Sequence, residues 1–168
     1  MSYEFTVTQE QEAIVEASIS QGPNGSTACR FAQVGHVGEF GSAEEAPYFG
    51  SSGDDVSVRC RVVSEADGFY VEAQTVAGRR GSLSIEGHFV RSRQAQTVAM
   101  VVSSEGPYVR YAQDDCTATY HDGHRFTRLS PNGFWADITC PNARDGAQTC
   151  QTFARVHFQN CASSRPEP

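Results

Sequence analysis

The run CTATYHDGHRFTRLSPNGFWADITCPNARDGAQTCQTFARVHFQNC, Cys116–Cys161, reads as four strands in series, with four of the chain's six cysteines at their ends. Asp122-Gly123 marks a two-residue hairpin, because both residues tolerate the positive φ of a type I′ turn. Ser130-Pro131-Asn132-Gly133 marks a four-residue turn, in which Pro presets one dihedral and Asn-Gly supplies the reversal. These turns set His121 opposite His124, Thr119 opposite Phe126, Leu129 opposite Phe134, and Arg128 opposite Trp135. Because side chains alternate across a strand, one face then collects Cys116, Ala118, Tyr120, Leu129, Phe134, Ala136, Ile138 and Cys140. The other collects Thr117, Thr119, His121, His124, Phe126, Arg128, Trp135, Asp137 and Thr139. The first set is a core; the second is polar with two aromatics.

Outward from this run, turn signals recur about every ten residues, and no apolar 3.6-residue period persists. Strands are expected at Glu4–Thr8, Glu12–Ser20, Thr27–Val34 and Val56–Val63, and then as a hairpin of Phe69–Val76 with Ser82–Arg91. Thr97–Ser103 has the nearly continuous apolar run of a central strand, and Gly106-Pro107 turns it into Tyr108–Ala112. The total is eleven or twelve short strands. They imply an all-β, single-domain chain, an antiparallel β-sandwich of jelly-roll type, with a closed β-barrel as the alternative. The segment 35–55 is a long loop rich in Gly and Ser, and 162–168 is a polar tail expected to fray.

The formal net charge of −7 opposes binding to nucleic acid, whose phosphates need a basic surface. All 13 cations are Arg, so lysine-based covalent chemistry is excluded. No apolar run has membrane-spanning length. Six cysteines without a Cys-x-x-Cys pattern read as three disulfides formed in an oxidising compartment: periplasm, outer surface or medium. No leader is visible, and Met1-Ser2 reads as the point where one has been trimmed. An extended Gln151–Asn160 would hold Cys150 and Cys161 about 35 Å apart, which excludes that pair. The favoured set is Cys140–Cys150 across a Pro141–Thr149 loop, Cys29–Cys60, and Cys116–Cys161 by elimination.

Trp135, the only tryptophan, falls on the polar face opposite Arg128 and diagonal to Phe126, with Asp137 beside it. An Arg over an indole is a cation–π pair, and a polar-rimmed aromatic row suits a sugar ring or a protein partner. The alternative is a Trp135 covered by a second sheet or by the 35–55 loop; Tyr48 and Phe49 of that loop are further candidate binding residues. His121 and His124 flank their turn on one face, with Asp122, Asp137 or His157 as a third ligand if a metal were held. Two histidines alone read as solvated, so no metal and no cofactor is expected. Asp54-Asp55 and Asp114-Asp115 likewise read as solvated acid rather than a Ca²⁺ site. No Gly-x-Ser-x-Gly elbow and no phosphate-cradling Gly loop is present.

The run Gly133–Pro141, followed by Cys150 and closing on Val156–Cys161, resembles the C-terminal end of disulfide-bearing lipoproteins and secreted β-rich proteins of G+C-rich Gram-negative bacteria such as myxobacteria. It covers about a quarter of the chain and framework residues alone. The resemblance implies a cell-envelope location and transfers no activity. It also implies an alternative pairing of Cys116 with Cys140. The function expected from the whole is an extracytoplasmic, non-enzymatic binding or structural module of the envelope that takes a protein or a glycan. The second reading is a secreted hydrolase with its site under the 35–55 loop.

Overall fold

The computed structural model describes residues 12–20, 29, 32–34, 56–77, 81–90, 95–105, 108–120, 133–146 and 148–163. Nine strands occupy most of them: β1 (Glu12–Ser20), β2 (Ala32–Val34), β3 (Val56–Ser64), β4 (Gly68–Ala77), β5 (Ser82–Val90), β6 (Ala95–Glu105), β7 (Tyr108–Tyr120), β8 (Phe134–Asp145) and β9 (Gln148–Gln159). All belong to one sheet, in the order β2-β1-β9-β8-β7-β6-β5-β4-β3, with every ladder antiparallel. From β3 to β9 each strand pairs with the next.

The sheet is curled into a half-barrel. β9 and β3 stand six strand steps apart, which a flat sheet would spread over roughly 29 Å at ~4.8 Å per step. Yet Cys161, just past β9, is disulfide-bonded to Cys60 of β3 with a Cα separation of 4.7 Å. Beside that bond, Ala162 bridges Arg61 in parallel: Val62 N–H donates to the Ala162 carbonyl at 2.8 Å, and Ala162 N–H donates to the Cys60 carbonyl at 2.9 Å. The curl itself encloses the core. Phe89 on β5 reaches Phe134 on β8 at 6.1 Å between ring centroids, and Phe134 stacks on Phe158 at 5.0 Å. Around these rings lie Ile19, Val62, Val71, Leu83, Ile85, Met100 and Ile138, all fully buried.

The core face predicted for the last strands holds. Phe134, Ala136, Ile138 and Cys140 are buried on β8, and Cys116 and Ala118 on β7. The path between them is different. β7 pairs directly with β8, setting Ala118 opposite Ile138 and Thr119 opposite Asp137, so the place expected for a strand at 124–129 is taken by β7 itself. Among the described residues the run from Cys116 shows three strands, and the expected strand at 124–129 falls within residues 121–132, which lie outside the described residues.

That change also corrects the disulfides, which are Cys29–Cys150, Cys60–Cys161 and Cys116–Cys140. The favoured Cys140–Cys150, Cys29–Cys60 and Cys116–Cys161 do not form. With no strand between β7 and β8, Cys116 and Cys140 stand side by side on neighbouring strands, 4.4 Å between Cα atoms. The Pro141–Thr149 segment is no loop either, because β8 runs on to Asp145 and a tight turn at Gly146, φ 57°, starts β9. Cys150 thus points into the core, where it meets Cys29. Ala162, expected in a frayed tail, is held against β3. The strands expected at 4–8 and the loop at 35–55 lie outside the described residues.

Two bulges adjoin the Cys116–Cys140 bond. β7 carries an extra residue at Asp114-Asp115 against β6, and β8 carries one at Pro141-Asn142 against β9. Gln113 ties them together: its Oε1 accepts from the Asn142 backbone N–H and its Nε2 donates to Asp115, both at 2.8 Å. Asp115 is therefore engaged in holding a bulge.

Candidate binding face

The outer face of β8 and β9 carries Trp135 and Asp137, two of the residues that the sequence singles out for recognition. Trp135 stands opposite His157, and Asp137 opposite Arg155. The indole and imidazole stack with centroids 5.0 Å apart and planes 17° from parallel. Arg155 donates from Nε to one Asp137 oxygen at 2.9 Å and from NH2 to the other at 3.3 Å, the two-pronged grip that a planar guanidinium offers a carboxylate. Asp137 is a quarter exposed and Arg155 half exposed. His157 is held below the ordinary histidine value because burial disfavours the imidazolium.

Trp135 thus points away from the core, as its register position requires, and is half-buried. Its aromatic neighbour is His157 of β9. Arg128, Phe126, His121, His124, Tyr48, Phe49 and Asp54-Asp55 lie outside the described residues. Among the described residues no group of three or more His, Cys, Asp or Glu is placed to hold a metal. No helix among the described residues is long and apolar enough to cross a membrane.

Sequence reasoning missed the Trp135–His157 and Asp137–Arg155 pairs for one reason. The β8–β9 hairpin closes with Asp145 opposite Gln148, in a tight turn that Gly146 marks. An unbulged ladder from that turn, however, would set Trp135 opposite Phe158 and send it into the core. The extra residue between Cys140 and Ala143 restores the correct parity, and no side-chain pattern announces it.

A second polar array covers the outer face of β3–β6. The Tyr70 ring lies 5.0 Å from His88, and its hydroxyl donates to Glu86. That bond to a carboxylate, with some burial and the negative charges of Glu86 and Glu72, pushes Tyr70 up to about 12. His88 Nδ1 meets Glu65 at 2.7 Å, and Arg61 pairs with Glu72.

Comparison with known proteins gives no match to any family model, to any curated protein or to any solved structure.

Proposed function

We propose that this chain is an extracytoplasmic, non-enzymatic module of a bacterial cell envelope that binds a protein or glycan of the cell surface through the outer face of its sheet. The observation that carries this is the Trp135–His157 stack beside the Asp137–Arg155 grip. It combines a flat aromatic surface with fixed hydrogen-bonding groups on rigid strands, the combination that sugar rings and partner side chains engage. Three disulfides support an oxidising compartment. The Cys60–Cys161 bond and the Ala162 bridge favour a closed barrel over a two-layer sandwich, because they join the two ends of the β3–β9 meander.

The test is a glycan array and an envelope-extract pull-down with the wild type, Trp135→Ala and Ile138→Ala. Ile138 is fully buried, so its truncation should cost roughly 2–4 kcal/mol in urea unfolding. Trp135→Ala should unfold close to the wild type and lose the ligand. A Trp135→Ala protein that retains every hit would remove this face from consideration.

A further inference from the structure

The outer face of β3–β6 carries a trough of about 730 Å³, within the range of ligand pockets. Two cross-strand rows build it. Arg59 of β3, Gln74 of β4, Ser84 of β5 and Val101 of β6 align in one; Arg61, Glu72, Glu86 and Ala99 align in the other. Small side chains at Ser84, Ala99 and Val101 line it together with the long charged ones of β3, β4 and Glu86.

The rows differ in chemistry. In the first, Arg59 and Gln74 offer N–H donors and Ser84 a hydroxyl. The Arg59 guanidinium has no ion-pair partner among the described residues. In the second, Glu72 and Glu86 face each other directly, a like-charge pair that by itself would destabilise the sheet. Each is held by a different donor, Glu72 by Arg61 and Glu86 by the Tyr70 hydroxyl, and both stay exposed with acceptor sites to spare. Positions two apart along a strand are separated by ~6.6 Å, so the donor row and the acceptor row run side by side, within reach of one sugar ring lying over them.

We infer that this trough binds a carboxylated sugar unit, a uronic-acid residue of an acidic glycan. Its carboxylate sits on the Arg59 fork, where two parallel N–H donors match two oxygens. Its hydroxyls bridge Gln74 and Ser84 on one side and donate to Glu72 and Glu86 on the other. Its C–H face lies over Ala99 and Val101. The chain carries a net charge of −7, so an acidic glycan gains nothing from the molecule's overall field and is retained only by the local cation. The site is separate from the Trp135 face and does not depend on it.

The experiment is calorimetric titration of the full chain with an oligogalacturonate and with a neutral galactose oligomer of equal length, at two salt concentrations. Arg59→Gln, Gln74→Ala and Trp135→Ala are run in parallel. The expected result is binding of the acidic oligomer that weakens with salt and falls at least tenfold in Arg59→Gln, falls in Gln74→Ala, and is unchanged in Trp135→Ala. The neutral oligomer should bind at least tenfold more weakly. Equal affinity for both oligomers, no effect of Arg59→Gln, or loss in Trp135→Ala would each overturn the inference. Only the last of these would point instead to the Trp135 face.

Discussion

His157 is where a single side chain gives this protein a measurable pH response. It is the partner of the only tryptophan, and burial holds its folded value below the ordinary 6.5. Above 6.5 the imidazole is neutral in the folded and unfolded chains alike. As pH falls below 6.5 the unfolded chain takes up a proton that the folded one resists, so this stability is lost between 6.5 and the lower folded value. Urea midpoints should therefore drop between pH 7.5 and pH 5, and drop less in His157→Gln. The same proton is visible optically, because an imidazolium stacked on an indole quenches it. Trp135 fluorescence should fall on acidification with a midpoint below 6.5, and the step should vanish in His157→Gln. A midpoint above 6.5 would mean that the Asp137 carboxylate nearby, rather than burial, governs the ring.

Among the elements, the ends of β8 separate what a turn demands from what packing demands. Gly146 has a φ of 57°, and a Cβ added there meets nothing within 4 Å. Gly146→Ala should cost only the left-handed backbone penalty, about 1 kcal/mol. At Gly133 the added Cβ would run into the backbone carbonyl of Phe158, on the strand that bears the Phe134–Phe158 stack. Gly133→Ala should push the start of β8 off β9 and cost about 2–3 kcal/mol, the upper part of the ordinary range for point changes. Equal urea midpoints for the two variants would contradict this close approach. The two glycines also mark how far the sequence could be read. β1, β3, β4 and β5 follow from clean alternation between turn residues, and the inward set Phe134, Ala136, Ile138 follows from the same rule. The β7–β8 pairing did not follow, because Asp122-Gly123 is the stronger local hairpin signal and nothing local shows that Tyr120 will pair with Ala136. The bulges were hidden too. They are fixed by tertiary contacts such as Gln113 to Asn142, and each one reverses the face of everything beyond it.

For the whole molecule, the decisive contact is the clasp that brings β3 to the end of β9. It consists of one disulfide between residues 101 positions apart and two backbone hydrogen bonds on Ala162. By chain entropy, cross-linking so long a loop restricts the unfolded chain by roughly 4.7 kcal/mol, against roughly 3.5 kcal/mol for the 24-residue separation of Cys116–Cys140. Replacing Cys60 and Cys161 together with alanine should therefore destabilise the protein more than replacing Cys116 and Cys140. It should also leave a local signature. The Val62 and Ala162 amides bond only across the clasp, so they should lose hydrogen-exchange protection at denaturant levels where the β7–β8 ladder, through Ala118 and Ile138, stays protected. The order of loss is the informative part. If Val62 and Ala118 lose protection together, the sheet opens as one unit and the clasp is no weaker than the ladders it joins. If Val62 keeps its protection in the double variant, the curl is imposed by the buried Phe89–Phe134–Phe158 cluster and the disulfide only decorates it. The expected result is early loss at Val62 and Ala162 while Ala118 stays protected, because two hydrogen bonds on one residue cannot hold two strands together once the covalent link is gone.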